Sequence, residues 1–439
     1  MKKLAAVFFA SLLFAPIAAR ADLPKVPPTP NVPPLLTLAE ADRIFHANGL
    51  DLLIADAQVA HVEGDAIAAR AVANPSFSAS VGYAFADYAP PNPCNGCSPW
   101  MLSFQVGDNN ALFDIMVGKR GLRSDSARAA LAAARLGRVD AERTLRAQVK
   151  QAYVQLVVAK GALDFAKDVQ KTMTQSLDLN KLRYPSVINE ADLARIEVQK
   201  LEADQSVDQA QLAVRQAQAA LGFLLGVRGI VPDFDVERTM LTYSAPAALQ
   251  SASEQSLLET AVAQRPDLRA TTFQKESADS ALSLARRQRF PDVGIFANYT
   301  QFGTGPDGVQ PPTLTFGLTF NLPIFYQQQG EVKRAEADLS TAIVQREKTS
   351  SQVANDVAAA WAQYVASREL VKRVEIIGER SKKARDIVDV QYRGGTATLM
   401  DFLDAERTYI AANQEHLQDL ASYWGAVFAL EQAVGVELK

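Results

Sequence analysis

The chain has 439 residues, with 45 Lys and Arg against 49 Asp and Glu, a formal charge of −4. That balance gives no basic face for a nucleic-acid partner. Beyond the first twenty residues no stretch reaches the ~20 apolar residues of a membrane helix, so any contact with lipid must be made by strands.

Lys2 and Lys3 precede an apolar run from Leu4 to Ala18, and Ala19-Arg20-Ala21 is a small-x-small cleavage site. Residues 1–21 read as a secretory signal peptide, since the run is short and ends in a cleavage signature. The rival reading is a retained N-terminal anchor. A chain starting at Asp22 would carry 42 basic against 49 acidic residues, about −7. No Cys stands near the cleavage point, so an N-terminal lipid anchor is not expected. Residues 22–36 are rich in Pro and predict an extended strap on the outside of whatever follows.

Residues 37–227 and 253–436 read as two copies of one module, joined by a segment over 228–252. Asp51-Leu52 and Asp267-Leu268 each lie 24 residues before a proline, Pro75 and Pro291. Leu102-Ser103-Phe104 and Leu314-Thr315-Phe316 each lie 16 residues before a glycine, Gly118 and Gly330. Ala152-Tyr153-Val154-Gln155 matches Ala360-Trp361-Ala362-Gln363, Asp192 matches Asp401, and Gly226-Val227 matches Gly435-Val436. The offsets stay between 208 and 216, so register is kept throughout. Each copy predicts helix, strand, strand, very long helix, helix.

Strands are predicted at about 75–88, 99–107, 291–302 and 312–322. In the last, Leu314, Phe316, Leu318, Phe320 and Leu322 share one face, while Thr313, Thr315, Gly317, Thr319 and Asn321 share the other. Around ten alternating residues is the length of a tilted strand crossing a bilayer. The bland alternative, a soluble sheet over a core, needs a helical layer that this chain commits elsewhere. Between the first two strands, Cys94-Asn95-Gly96-Cys97 reads as a small disulfide pinning a loop tip, since export favours oxidation and Asn-Gly favours a tight turn. A redox or metal pair is the rival, but His46, His61 and His416 are scattered and supply no third ligand.

The long helices carry coiled-coil seams. Leu145, Val149, Ala152, Leu156, Ala159, Leu163 and Ala166 step by four and three, as do Ala203, Val207, Ala210, Val214, Ala217, Leu221 and Leu224. A helix from Gly118 to Leu182 would span roughly 95 Å, far beyond an ordinary domain. Four strands cannot close a membrane barrel, whose smallest form has about eight, and open edges are not tolerated in lipid. Several chains must share one barrel; two give eight strands and three give twelve, and a pore favours three. The segment over 228–252 is expected to add to a belt around the middle.

At Tyr392-Arg393-Gly394-Gly395-Thr396-Ala397-Thr398-Leu399-Met400-Asp401-Phe402-Leu403-Asp404 the sequence resembles the helix–turn–helix tip of the outer membrane efflux proteins, the TolC-like channels. Arg183-Tyr184-Pro185-Ser186-Val187-Ile188-Asn189-Glu190-Ala191-Asp192 resembles the tip of the branch that includes heavy-metal efflux channels. The resemblance runs from Leu36 to Val436. It implies a mainly α fold with a membrane β portion: a homotrimer in which a twelve-stranded β-barrel continues into a twelve-helix periplasmic α-barrel. It also implies an outer-membrane location and partners: a periplasmic adaptor and an inner-membrane pump, of the RND type. By motif match Tyr392, Asp401 and Asp404 narrow the closed end, with Asp192 as the partner of Tyr392. Gly394, Gly395, Pro185 and Ser186 stand where the tips meet the adaptor. Ala397 departs from the pattern, since well-known members have a gate arginine there. First-turn carboxylates such as Asp401 and Asp404 also suit a plain helix cap.

No phosphate loop, metal-spaced His/Cys group or nucleophile with a placed base is present, so neither catalysis nor a cofactor is expected. The competing class is a secreted coiled-coil structural or adhesive protein. It explains the heptads and leaves the strands unexplained. The transported substrate, metal ion or organic compound, is not written in the sequence.

Overall fold

The computed structural model describes residues 26–83, 100–186, 188–301, 304–305, 308–309 and 311–438. The expected signal peptide and the Cys94–Cys97 pair lie outside the described residues. The chain opens with β1 (Leu35–Leu36), α1 (Leu38–Asn48), α2 (Leu50–Arg70), β2 (Ser76–Tyr83) and β3 (Trp100–Gly107). After the short α3 (Ala111–Met116) come α4 (Lys119–Arg183) and α5 (Glu190–Leu224). A middle segment holds β4 (Asp235–Val236), a 3-10 turn at Thr239–Leu241 and α6 (Ala247–Gln250). Then follow α7 (Glu254–Gln264), α8 (Pro266–Arg287), β5 (Asp292–Gln301), β6 (Thr304–Gly305), β7 (Gly308–Val309) and β8 (Thr313–Asn321). The chain ends on α9 (Gln329–Arg393) and α10 (Leu399–Val434).

Both α4 and α9 are 65 residues long, about 97 Å each at 1.5 Å per residue. Neither contains proline, and both bury a stripe stepping by three and four: Val149, Ala152, Leu156 and Leu163 in α4, Val353, Val357, Tyr364 and Val371 in α9. The shorter helices flank them end to end. Near the sheet, the neighbours run α2–α4–α8–α9; in the distal half they run α5–α4–α10–α9. The helical part is therefore one layer deep and four helices wide along its length.

The main sheet has the order β2-β3-β5-β8, antiparallel throughout. Its register aligns Phe77 with Val106, Val81 with Leu102, Phe104 with Tyr299, and Ala297 with Phe316. Because side chains alternate, these residues and Leu314, Leu318 and Phe320 make one apolar face across all four strands. No buried cluster includes a residue of that face, and Phe316 is 73% exposed. The opposite face carries Ser103, Asn298, Thr315 and Thr319, with the Ser103 hydroxyl donating to Asn298 Oδ1 at 2.7 Å. On this wet face Gly317 leaves room for the Phe296 ring, which lies 2.3 Å from where a Cβ would sit.

Midway along the helices the Pro-rich segment does more than lie outside. Val32 and Leu36 are buried, β1 pairs in parallel with β4, and the Tyr153 hydroxyl donates to the Leu36 carbonyl at 3.0 Å. The middle segment is tied to α10 as well: Trp424 Nε1 donates to Met240 O at 3.0 Å and Tyr423 Oη to Ser244 O at 2.9 Å. The buried Arg265 guanidinium binds Asp267, Asp356 and the Ala433 carbonyl, fixing the junction of α8, α9 and α10. Among the described residues no helix is long and apolar enough to cross a membrane.

Candidate gate at the helix tips

Two helical hairpins, α4–α5 and α9–α10, turn at the end of the ribbon farthest from the sheet. The second turn ends α9 with Gly394 in the helical region and Gly395 at φ 78°. Thr396 N–H donates to Gln391 O at 2.9 Å and Gly395 N–H to Tyr392 O at 3.1 Å, the paired closure that a left-handed glycine permits. Pro185, Ser186, Gly394 and Gly395 are exposed at this one end.

Both returning helices start with the same cap. Asn189 Oδ1 accepts from Asp192 N–H at 2.8 Å, and Thr398 Oγ1 accepts from Asp401 N–H at 3.2 Å. The second is a full capping box, because the Asp401 carboxylate also accepts from Thr398 N–H at 3.0 Å and Thr398 Oγ1 at 2.7 Å. The Thr398 hydroxyl, then its backbone N–H, hold the Asp401 carboxyl below the usual range. Asp401 thus performs the cap the sequence allows, and both it and Asp404 remain exposed.

Tyr392 is buried in a cluster with Met173, Leu177, Ile196, Phe402 and Leu403, its ring stacked on Phe402 at 5.0 Å between centroids. Its expected partner, Asp192, is not the one it meets. The hydroxyl donates to Asn180 Oδ1 at 2.5 Å, and Asn180 is 0% exposed. Asn180 Nδ2 donates to Ser176 O at 2.7 Å, one turn back along α4, which aims the oxygen at Tyr392. Asp192 instead pairs with Arg195 at 3.1 Å along α5. A hydroxyl has one proton to give, and here it goes to the amide.

Arg183 completes the cluster. Its guanidinium lies 5.2 Å from the centre of the Tyr392 ring and donates to Arg393 O at 3.0 Å and Tyr392 O at 3.4 Å. Those carbonyls close α9, where a cation is favoured by the helix dipole. Arg183 therefore supplies a cation at the second tip, while Ala397 packs against the apolar cluster. Asn180 lies outside both tip motifs, and although Arg183 opens the first, its reach to the second tip could not be read from it: residues in separate hairpins have no fixed spacing. The signal available was a polar Asn inside the heptad stripe of α4.

Two turns into α10, Glu406 is 2% exposed and faces Arg385 of α9 at 3.7 Å, too far for a hydrogen bond. Burial pushes its carboxyl up; Arg385 opposes this, and Asp389 and Asp386 add to it. Among the described residues no group of His, Cys, Asp and Glu is arranged to hold a metal.

Residues 45–227 and 257–436 match the profile of the family described as "Outer membrane efflux protein". The outer membrane efflux protein BepC of Brucella suis is 24% identical over 248 residues, 56% of this chain and 52% of that protein. This chain thus aligns with about half of BepC. The cobalt-zinc-cadmium resistance protein CzcC of Cupriavidus metallidurans is 21% identical over 91% of this chain and 90% of its own length. Among solved structures, the outer membrane protein VceC of Vibrio cholerae superposes with a TM-score of 0.73 at 19% identity, covering 92% of this chain and 97% of VceC.

Proposed function

The chain belongs to the outer membrane efflux protein family, and on that premise we propose that it forms the outer-membrane duct of a tripartite efflux system. Three copies share one twelve-stranded barrel and continue it as a helical tunnel into the periplasm. The observation that carries this reading is the four-stranded sheet with an uncovered apolar face and two free edges. In lipid such edges must be paired, and copies of the same chain supply the pairs. A secreted coiled-coil protein gains nothing from that sheet.

A periplasmic adaptor docks at the exposed turns around Pro185, Ser186, Gly394 and Gly395, and an RND-type inner-membrane pump drives transport. The duct itself is passive and needs no cofactor. Residues 1–21 direct export as a signal peptide and are then cleaved. The match to a cobalt-zinc-cadmium resistance protein along nearly the whole chain leans the cargo toward metal ions.

At the closed end three copies of Asp401 and Asp404 gather into acidic rings that favour cations and attract divalent ions. Purified protein in planar bilayers should give discrete, cation-selective channels. Asp401→Ala with Asp404→Ala should weaken selectivity and divalent block. Unchanged selectivity would make both carboxylates helix caps only; no conductance at all would sink the duct reading.

A further inference from the structure

The two sides of the ribbon can be told apart where it meets the sheet. One recess is lined by all four helices there, with Gln58 of α2, Ala130 and Ala133 of α4, Ser277 of α8 and Asp338 of α9. In a ribbon one layer deep these residues share a side. The α4 stripe continues toward the sheet in steps of three and four, through Ser126 and Arg123 to Lys119. The Lys119 ammonium donates to Asp292 at 2.6 Å, and Asp292 lies on the wet face of β5, opposite Asn321. The recess side is therefore the wet side, and the oily sheet face belongs to the other.

Charges on the wet side close on one another. Lys119 meets Asp292, Arg123 meets Asp114 at 2.9 Å, and the Asp108 carboxylate accepts from the Ile295 and Asn110 backbone N–H groups. The oily side does not balance. About half a turn round from the recess residues, Arg286 pairs with Glu336 at 3.3 Å and Arg135 with Glu63 at 3.6 Å. Lys333 stands three residues before Glu336, Arg289 three after Arg286, and Arg70 seven after Glu63, so all three share this side. Each is exposed, and none has an ion-pair partner among the described residues. Glu331, seven before Asp338, belongs to the wet side and accepts the Tyr326 hydroxyl.

This band of bases lies where the oily face ends. Phe320 and Leu322 at its rim are exposed, and Phe290, next to Arg289, is 58% exposed. Acids outnumber bases in the chain as a whole, so unpaired bases gathered at one level call for negative charge from outside it. An oily face followed by an aromatic and then by cations matches the order of acyl chains and phosphates at a bilayer surface.

We infer that Arg70, Arg289 and Lys333 hold the phosphates of anionic glycerophospholipids in the leaflet nearer the helices. The inference rests on the proposed outer-membrane placement of the sheet and adds the lipid class held at its lower rim. The two guanidinium groups can fork onto phosphate oxygens and the Lys333 ammonium acts as a point charge. An acidic protein would supply the charge but leave the rim of Phe290, Phe320 and Leu322 without an apolar neighbour.

The test gives the full chain, in neutral detergent, equal amounts of phosphatidylglycerol and phosphatidylethanolamine, and reads the retained lipids by native mass spectrometry. Phosphatidylglycerol should be enriched about fivefold, and high salt should reduce the enrichment. Arg70→Gln with Arg289→Gln and Lys333→Gln should bring the ratio to parity. Lys348→Gln, which removes a wet-side cation farther along α9, should leave it unchanged. Where the triple variant fails to assemble, each single variant should still lower the enrichment. Equal retention of both lipids by the parent, or enrichment that survives all three substitutions, would overturn the inference. Channel recordings on the same preparations keep the two readings apart. A parent that conducts without enrichment leaves the duct standing and sinks only the lipid site; a parent with neither channels nor enrichment sinks both.

Discussion

Asn180 accepts the Tyr392 hydroxyl deep in the tip, so the link between the two hairpins is an amide rather than a carboxylate. Tyr392→Phe keeps the stacking on Phe402 and strands the Asn180 oxygen, a loss of about 1–3 kcal/mol. The closed tip should loosen, read as higher single-channel conductance in planar bilayers. Asn180→Ala should produce the same effect, and the double variant little more than either alone. If Asp192→Ala matched them and Asn180→Ala did not, the tip in the membrane would use the carboxylate after all. Tyr392 itself was legible in the Tyr-Arg-Gly-Gly-Thr run, and the Asp401 cap in Thr398-x-x-Asp401. The partner was not, since twelve residues and a hairpin turn separate Asn180 from Asp192 and only packing chooses between them.

At the scale of elements, period-2 alternation placed every side chain of β8 before any pairing was known. Phe316 lies on the oily face and Thr315 on the wet one. Phe316→Arg should cost roughly 2–4 kcal/mol if the residue sits near the bilayer midplane, and Thr315→Arg much less. Urea-resistance of the folded band in bilayer vesicles measures both; equal damage would mean the faces are misassigned. The helix pair α9–α10 makes a different prediction. Burial raises the Glu406 carboxyl, so the folded state holds that proton more tightly than the unfolded chain. Stability from this site is full at low pH and is lost as pH rises through the raised value. Protection of the amides around Glu406, taken relative to the intrinsic exchange rate at each pH, should be greater at about pH 5 than at about pH 7.5, and Glu406→Gln should flatten the difference. A pH dependence that survives Glu406→Gln would place its origin elsewhere. The alternation and heptads were legible because they follow from local geometry. Burial of Glu406 was not, since an acid in a heptad reads as surface until its neighbours are known.

For the whole molecule, sheet and helices form a ribbon four elements wide, with one apolar sheet face uncovered and both long edges open. Duplication explains the width: each copy brings two strands and the equivalent of two full-length helices. The duplication and the need for partner chains were legible in the sequence, through offsets kept near 209 and a strand count too small to close. The neighbour order was not, because which helix flanks which depends on contacts between copies of the repeat. The central claim is that copies of this chain complete one pore. Native mass spectrometry of the detergent-extracted protein tests it most directly. The account predicts a species of three chains that persists at dilution and conducts ions in bilayers; a monomer or dimer retaining the conducting activity would contradict it.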